Sequence, residues 1–224
     1  MSKRDAMRRL ARESIARGDA VGWFEALYQS VNGRWDQISW ADLMPNPYLV
    51  EWLASDRARQ RPGARALVVG CGLGDDAEAL AAAGFSVTAF DVSATAIEGC
   101  RARFPESRVD YAVADVLAPP PAWIGGFGLV FESYTLQVLP PAPRAVAMRE
   151  LATLVSPGGQ LLVLCRGRDA RDPVGEVPWP LTREELQEFQ ERGLRQIAFD
   201  DFHDDEAPPV RRFRALYARG PSGA

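Results

Sequence analysis

The chain has 224 residues, 47% apolar and 25% charged, enough for one globular domain that buries its core without disulfide or metal staples. Acidic residues outnumber basic ones 30 to 26, so the broad basic face of a nucleic-acid binder is not expected. A lone histidine, His203, excludes a multi-histidine metal centre and no metal is expected; Cys71, Cys100 and Cys165 are scattered and odd in number, and read as reduced thiols of a cytoplasmic protein.

The opening segment, MSKRDAMRRLARESIARGDA, is basic but lacks an apolar centre, so it does not read as a secretory signal. No uncharged apolar run approaches the length that crosses a bilayer, and no membrane partner is expected. Over residues 3–17, Met7, Leu10, Ala11 and Ile15 fall at helical spacing beside a solvated basic face. VGWFEALYQSVN continues as helix and stops at Asn32-Gly33. RWDQISWADLMPNPYLVEWLA is rich in tryptophan and broken by Pro45 and Pro47; Tyr48 to Ala58 reads as helix, and Arg61-Pro62-Gly63 as a turn. Residues 1–62 read as a helical N-terminal segment, either a lid or a layer packed on the sheet, ahead of a core spanning 63–219 within a single domain over 1–224.

From Ala64 short apolar runs alternate with helical stretches. RALVVG precedes a helix over Asp75–Ala83, and SVTAF precedes one from Ser93, a natural N-cap, to Phe104. VDYAVAD leads into the proline-rich LAPPPAWIGG. FGLVFES precedes a helix from Pro143 to Val155, SPGG reads as a turn, and QLLVLCR as a strand. After the loop GRDARDPVGEVPWP come a helix over Thr182–Arg192 and two last strands, LRQIAFDDF and RRFRALYAR, joined as a terminal hairpin. This alternation predicts an α/β, doubly wound, mostly parallel seven-stranded sheet of Rossmann-like type with an antiparallel last strand.

Such folds bind ligands beyond the carboxyl ends of their strands. Here that loop is Gly70-Cys71-Gly72-Leu73-Gly74, G-x-G-x-G rather than the dinucleotide G-x-G-x-x-G. Asp75 and Asp76 follow, and two carboxylates at a helix start would repel a pyrophosphate but not a cationic, phosphate-free nucleoside; as plain helix chemistry they also favour the N-terminal dipole. Asp91 ends the second strand 17 residues beyond Gly74, where a carboxylate accepts from both ribose hydroxyls or simply caps a helix. Asp115 ends the third, either bonding an adenine amino group between Val92 and Val116 or opening a loop.

LVVGCGLG, FDVS, VADV, LVFESYTLQVLP and LVSPGGQLLVL resemble, in order, the motifs of class I S-adenosylmethionine-dependent methyltransferases over about residues 64–165. One departure is Val68, where many members carry an acid. The tryptophan-rich start, DPVGEVPWPLTREEL and FDDFHDDEAPPVRRFRALYAR resemble the thiopurine methyltransferase-like branch, in which the N-terminal helices close over the cofactor; the arginine that branch often carries after its acid is Ser133 here. The resemblance implies S-adenosyl-L-methionine as cofactor, S-adenosyl-L-homocysteine as product, cofactor contacts at Gly70, Cys71, Gly72, Gly74, Asp91, Val92, Asp115, Val116, Glu132 and Ser133, and a small-molecule acceptor at sulfur, oxygen or nitrogen.

Methyl transfer is an in-line displacement that asks for alignment and dryness more than for acid–base groups. Tyr134, after the fourth strand, is a catalytic or substrate contact or a core aromatic. His203, in DDFHDD, is a base candidate or an incidental surface residue. Trp35 and Trp179, the latter stiffened by Pro178 and Pro180, either pack or wall the acceptor pocket. The reading is a small-molecule methyltransferase, monomer or homodimer. An NAD(P)-dependent oxidoreductase and a non-catalytic S-adenosylmethionine-binding protein are the alternatives.

Overall fold

A computed structural model describes residues 2–55 and 63–221, in two compact units, Met1–Asp115 and Val116–Ala224. The expected helix end beyond Ser55 and the first two residues of the Arg61-Pro62-Gly63 turn lie outside the described residues.

The first unit opens with α1 (Lys3–Ala16), closed at its start by a capping box: Ser2 Oγ accepts from Asp5 N, and the Asp5 carboxylate from Ser2 N, both at 3.1 Å. α2 (Gly22–Val31) buries Trp23, Leu27, Tyr28 and Val31, and ends at Asn32 in the left-handed region, φ 47°. Trp23 stacks on Phe24 at 3.8 Å and meets Trp40 edge-on at 6.0 Å, so the tryptophans pack into a cluster of their own. α3 (Pro47–Leu53) starts on an Asn46 cap with Pro47 in its first turn.

Then come β1 (Arg65–Val69), α4 (Asp75–Ala82), β2 (Ser86–Asp91), α5 (Ala94–Arg103) and β3 (Asp110–Val113). The three strands are parallel in the order β3-β2-β1. Leu67, Val68, Val69, Ala89 and Phe90 are each at most 2% exposed, the continuous burial of strands covered on both faces. β3 is shorter than VDYAVAD suggested, since pairing ends at Val113, which is 54% exposed.

The second unit contains β4 (Phe127–Ser133), α6 (Pro141–Leu154), β5 (Val155–Arg166), α7 (Glu188–Glu191), β6 (Leu194–His203) and β7 (Arg211–Arg219). Its order is β4-β5-β7-β6; β4 and β5 are parallel, and β7 runs antiparallel to both its neighbours. Across both units the described residues supply the expected seven strands of a doubly wound, Rossmann-like sheet, β7 being the antiparallel one. No helix of the described residues is long and apolar enough to cross a membrane.

Two elements differ from expectation. Ser156-Pro157-Gly158-Gly159 lies inside β5 rather than before it: Phe127 pairs with Val155 and Leu129 with Gln160, so the segment is absorbed as an irregularity of the strand. A Cβ on Gly159 would sit 2.8 Å from the Phe127 carbonyl. The helix expected over Thr182–Arg192 is a 3-10 turn, Glu185–Gln187, followed by the single turn of α7. There Thr182 N donates to Glu185 Oε2 at 2.7 Å and Glu185 N to Thr182 Oγ1 at 3.1 Å, while Arg144 binds the same carboxylate at 2.7 Å. Gly193, φ 80°, stops the turn.

Candidate functional site

In the first unit β1 runs into Gly70-Cys71-Gly72-Leu73-Gly74, whose glycines have φ of 56°, 54° and 91°, values that exclude most side chains. They do different work. A Cβ on Gly74 would lie 2.5 Å from Tyr111 Oη and 3.2 Å from Cys100 Sγ, so the third glycine is demanded by packing against β3 and α5. A Cβ on Gly72 would lie 3.2 Å from Tyr28 Oη. The Cys71 N–H is taken by the Phe90 carbonyl at 2.8 Å, which leaves Cys71 no backbone donor for a ligand. Its thiol is pushed well above the usual range by the Cys100 thiol and by burial; Cys100 Sγ donates to the Gly72 carbonyl at 3.2 Å.

Asp91 ends β2 as a buried carboxylate, 6% exposed. Its Oδ2 accepts from Gly72 N and its Oδ1 from Ser93 N, both at 2.9 Å. Burial pushes it up to about 6 against its backbone hydrogen bonds. A carboxylate has about four acceptor sites, so lone pairs remain beyond these bonds, which suits a vicinal diol. Val92 and Asp115 are half-buried at the same strand ends.

The two carboxylates that open α4 are already engaged. Asp75 forms a two-pronged ion pair with Arg103, 2.7 Å on each prong. Asp76 Oδ1 accepts from Asn46 N at 2.7 Å, and burial raises it to about 6. With Asp75 matched by a guanidinium, the charge repulsion of a diphosphate expected from the sequence is weaker, and the glycine spacing carries more of that distinction.

In the second unit Val116 is buried, and β4 ends on Glu132, which is fully buried, and Ser133. Glu132 Oε1 accepts from Thr135 N at 2.7 Å and Leu136 N at 2.9 Å, while Oε2 is buried and finds no partner among the described residues. Burial pushes this carboxyl up to about 7. Such an orphaned acceptor fits a cationic group of a ligand. Ser133 is half-buried beside it. Tyr134 adopts φ 62°, a strained value for a bulky residue, with its N–H on the Leu164 carbonyl at 2.9 Å. The Arg212 guanidinium lies 5.1 Å from its ring centroid.

Gln137 holds one of the expected substrate contacts. The Trp179 N–H donates to its carbonyl at 2.6 Å, and its side-chain Oε1 accepts from Arg166 N at 2.7 Å. The loop bearing the half-buried Trp179 is thus tied to the turn that follows Tyr134. His203 is the exposed last residue of β6, opposite Arg211. Its neighbour Asp204 holds Arg212 at 2.6 Å, so the hairpin end reaches Tyr134 through Arg212 rather than through the histidine. Trp35 belongs to the first unit, where its ring packs on α5, 3.0 Å from where a Gly99 Cβ would stand.

Sequence reasoning passed over Arg212, only 7% exposed, one of four arginines in RRFRALYAR that local pattern does not tell apart. It also passed over Glu25 and Tyr28 of α2, which lie unmarked within the helical run VGWFEALYQSVN.

Residues 66–159 match a family described as a methyltransferase domain. A ubiquinone biosynthesis O-methyltransferase of Aromatoleum aromaticum is 36% identical over 118 residues, 52% of this chain and 49% of that protein. The chain thus spans about half the length of the curated relatives it matches first. A probable thiol methyltransferase of Arabidopsis thaliana is 27% identical over 190 residues, 83% of this chain and 76% of the relative. Among solved structures, a 1,6-didemethyltoxoflavin N1-methyltransferase of Burkholderia thailandensis, with S-adenosylhomocysteine bound, superposes with a TM-score of 0.69 at 15% identity, covering 88% of this chain and 87% of that one.

Proposed function

We propose that this chain, whose residues 66–159 match a methyltransferase domain and whose fold is like that of S-adenosylmethionine-dependent methyltransferases, methylates a small-molecule acceptor, by preference a thiol. The observation that carries the cofactor reading is Asp91, a buried carboxylate held by Gly72 N and Ser93 N with lone pairs to spare. When bound, S-adenosylmethionine supplies an activated methyl group. The chain's own part is to bind, orient and keep water out.

Asp91 accepts from the ribose hydroxyls, and the Gly70–Gly74 loop lets the nucleoside approach the backbone. Asp115 takes the adenine amino group, with Val92 and Val116 against the ring. Val68 is 2% exposed within β1, so that strand offers no acid; Glu132, with its unpartnered Oε2, receives the cationic amino group, and Ser133 adds a hydroxyl. Tyr134, Trp179 and Trp35 are the candidate acceptor contacts. Thiols ionise near neutrality and need little help from a base. His203 therefore matters only for hydroxyl or amine acceptors. The sulfur preference leans on the thiol methyltransferase similarity, which runs over 83% of the chain, beyond the cofactor motifs. Residues 63–219 act as one catalytic core under a lid formed by 1–62, in a cytoplasmic monomer or homodimer without nucleic-acid or membrane partners.

Calorimetry with S-adenosylmethionine, S-adenosylhomocysteine and NADH, followed by turnover on thiols, phenols and amines, tests this. Binding of both sulfur nucleosides and release of S-adenosylhomocysteine with a thiol are expected. NADH binding alone would overturn the cofactor reading, and binding without turnover on any acceptor would overturn the enzymatic one.

A further inference from the structure

One buried hydroxyl of the first unit has a proton with nowhere to go. Tyr28 is 1% exposed. Its Oη accepts from Trp40 Nε1 at 3.2 Å, and among the described residues it finds no acceptor for its own O–H. A phenol buried in this way normally finds a partner. Burial and the nearby Asp91 carboxylate both hold it protonated.

Its position is set from several directions. The ring meets Trp35 edge-on at 6.4 Å and Trp40 at 6.2 Å. Asp19 Oδ1 accepts from Val21 N at 3.1 Å and Gly22 N at 2.7 Å, closing the start of α2. One turn before Tyr28, Glu25 reaches the N-terminus of α5. Its Oε2 accepts from Ser93 Oγ at 2.5 Å and Thr95 N at 3.2 Å, and its Oε1 from Thr95 Oγ1 at 2.8 Å. A carboxylate at a helix N-terminus is favourably placed by the helix dipole as well. Ser93 N in turn donates to Asp91, so the residue that anchors α2 also sets the carboxylate at the end of β2. The Tyr28 hydroxyl ends beside Gly72, 3.2 Å from where a Cβ would stand, and Gly72 N is the other donor to Asp91. An unspent donor and a carboxylate with unspent lone pairs thus share one glycine. A sugar hydroxyl satisfies both, since it can accept from the first and donate to the second.

We propose that Tyr28 is a cofactor-binding residue: its O–H donates to a ribose hydroxyl that itself donates to Asp91, which makes α2 a wall of the nucleoside site, positioned by Glu25. This rests on the reading that the chain binds S-adenosylmethionine.

The test is calorimetry on wild type and Tyr28→Phe with S-adenosylhomocysteine and its 2′-deoxy and 3′-deoxy forms. Phenylalanine keeps the ring between the two tryptophans and removes only the donor. The parent ligand should bind Tyr28→Phe about tenfold more weakly, the order expected for one hydrogen bond, and that loss should vanish for one of the two deoxy forms. Equal affinities for wild type and variant, or the same loss with all three ligands, would overturn the role of Tyr28 and leave the cofactor reading standing. Wild type that binds none of the three brings both down. A second measurement needs no variant: the carbon-13 signal of the Tyr28 hydroxyl-bearing ring carbon should shift with the parent ligand and not with the matching deoxy form, and a signal unmoved by any bound ligand overturns the proposal.

Discussion

Replacing Asp91 by asparagine separates what the carboxylate does for folding from what it does for a ligand. The side chain keeps its size, loses its charge and keeps one acceptor. It is 6% exposed, and its folded-state value of about 6 lies above the ordinary 3.8, so folding disfavours the ionised form. Its favourable contribution is therefore present below about 4 and lost as pH rises through about 6. At neutral pH the burden is on the order of 3 kcal/mol. The Asp91→Asn substitution removes that burden but turns an amide NH2 on either Gly72 N–H or Ser93 N–H, and a lost buried bond costs about 1–3 kcal/mol. The two terms nearly cancel, so the melting temperature at pH 7.5 should move little. Affinity should not be spared. Hydrogen bonds to a charged group are worth about 1.5–3 kcal/mol each, so S-adenosylhomocysteine should bind about ten- to a hundredfold more weakly. Wild-type affinity should also fall as pH drops through about 6, because the diol is held by the ionised form. Calorimetry at pH 5 and 7.5, with thermal melts of both proteins, reads all three quantities. An Asp91→Asn protein that binds within twofold of wild type would refute the assignment, whatever its stability.

Glu132→Gln should weaken S-adenosylhomocysteine about tenfold or more in calorimetry. Burial raises Glu132 from 4.5 to about 7, so its contribution to stability is present below 4.5 and lost as pH rises through 7; the wild-type melting temperature should fall between pH 5 and 8 more than that of the variant. Trp179→Ala should leave S-adenosylhomocysteine affinity unchanged while kcat/KM for the acceptor falls about tenfold, the loss of one large ring wall; unchanged kinetics would remove it from the pocket. Gly74→Ala places a methyl 2.5 Å from Tyr111 Oη at φ 91° and should cost about 1–3 kcal/mol in denaturant unfolding. Adding Tyr111→Phe should recover part of that cost, and a purely additive double variant would show that the hydroxyl is not the obstacle.

The elements of this chain follow from local patterns. Continuous apolar runs became covered strands, the Ser2 and Ser93 caps began helices, and Gly70 to Gly74 made the turn after β1, because dihedral preferences and side-chain periodicity act over a few residues. Family motifs placed Asp91 and Glu132 at strand ends for the same reason. What tertiary structure alone decided is where charges and protons are matched. Asp75 looked like a free anion until Arg103, 28 residues away, closed on it. Glu25, one residue of a helical run in the sequence, accepts from Ser93, 68 residues away. Tyr28, in the same run, has its hydroxyl set beside Gly72. Pairings across such separations depend on how helices pack on a finished sheet, and no local period records which polar atom burial will leave without a partner.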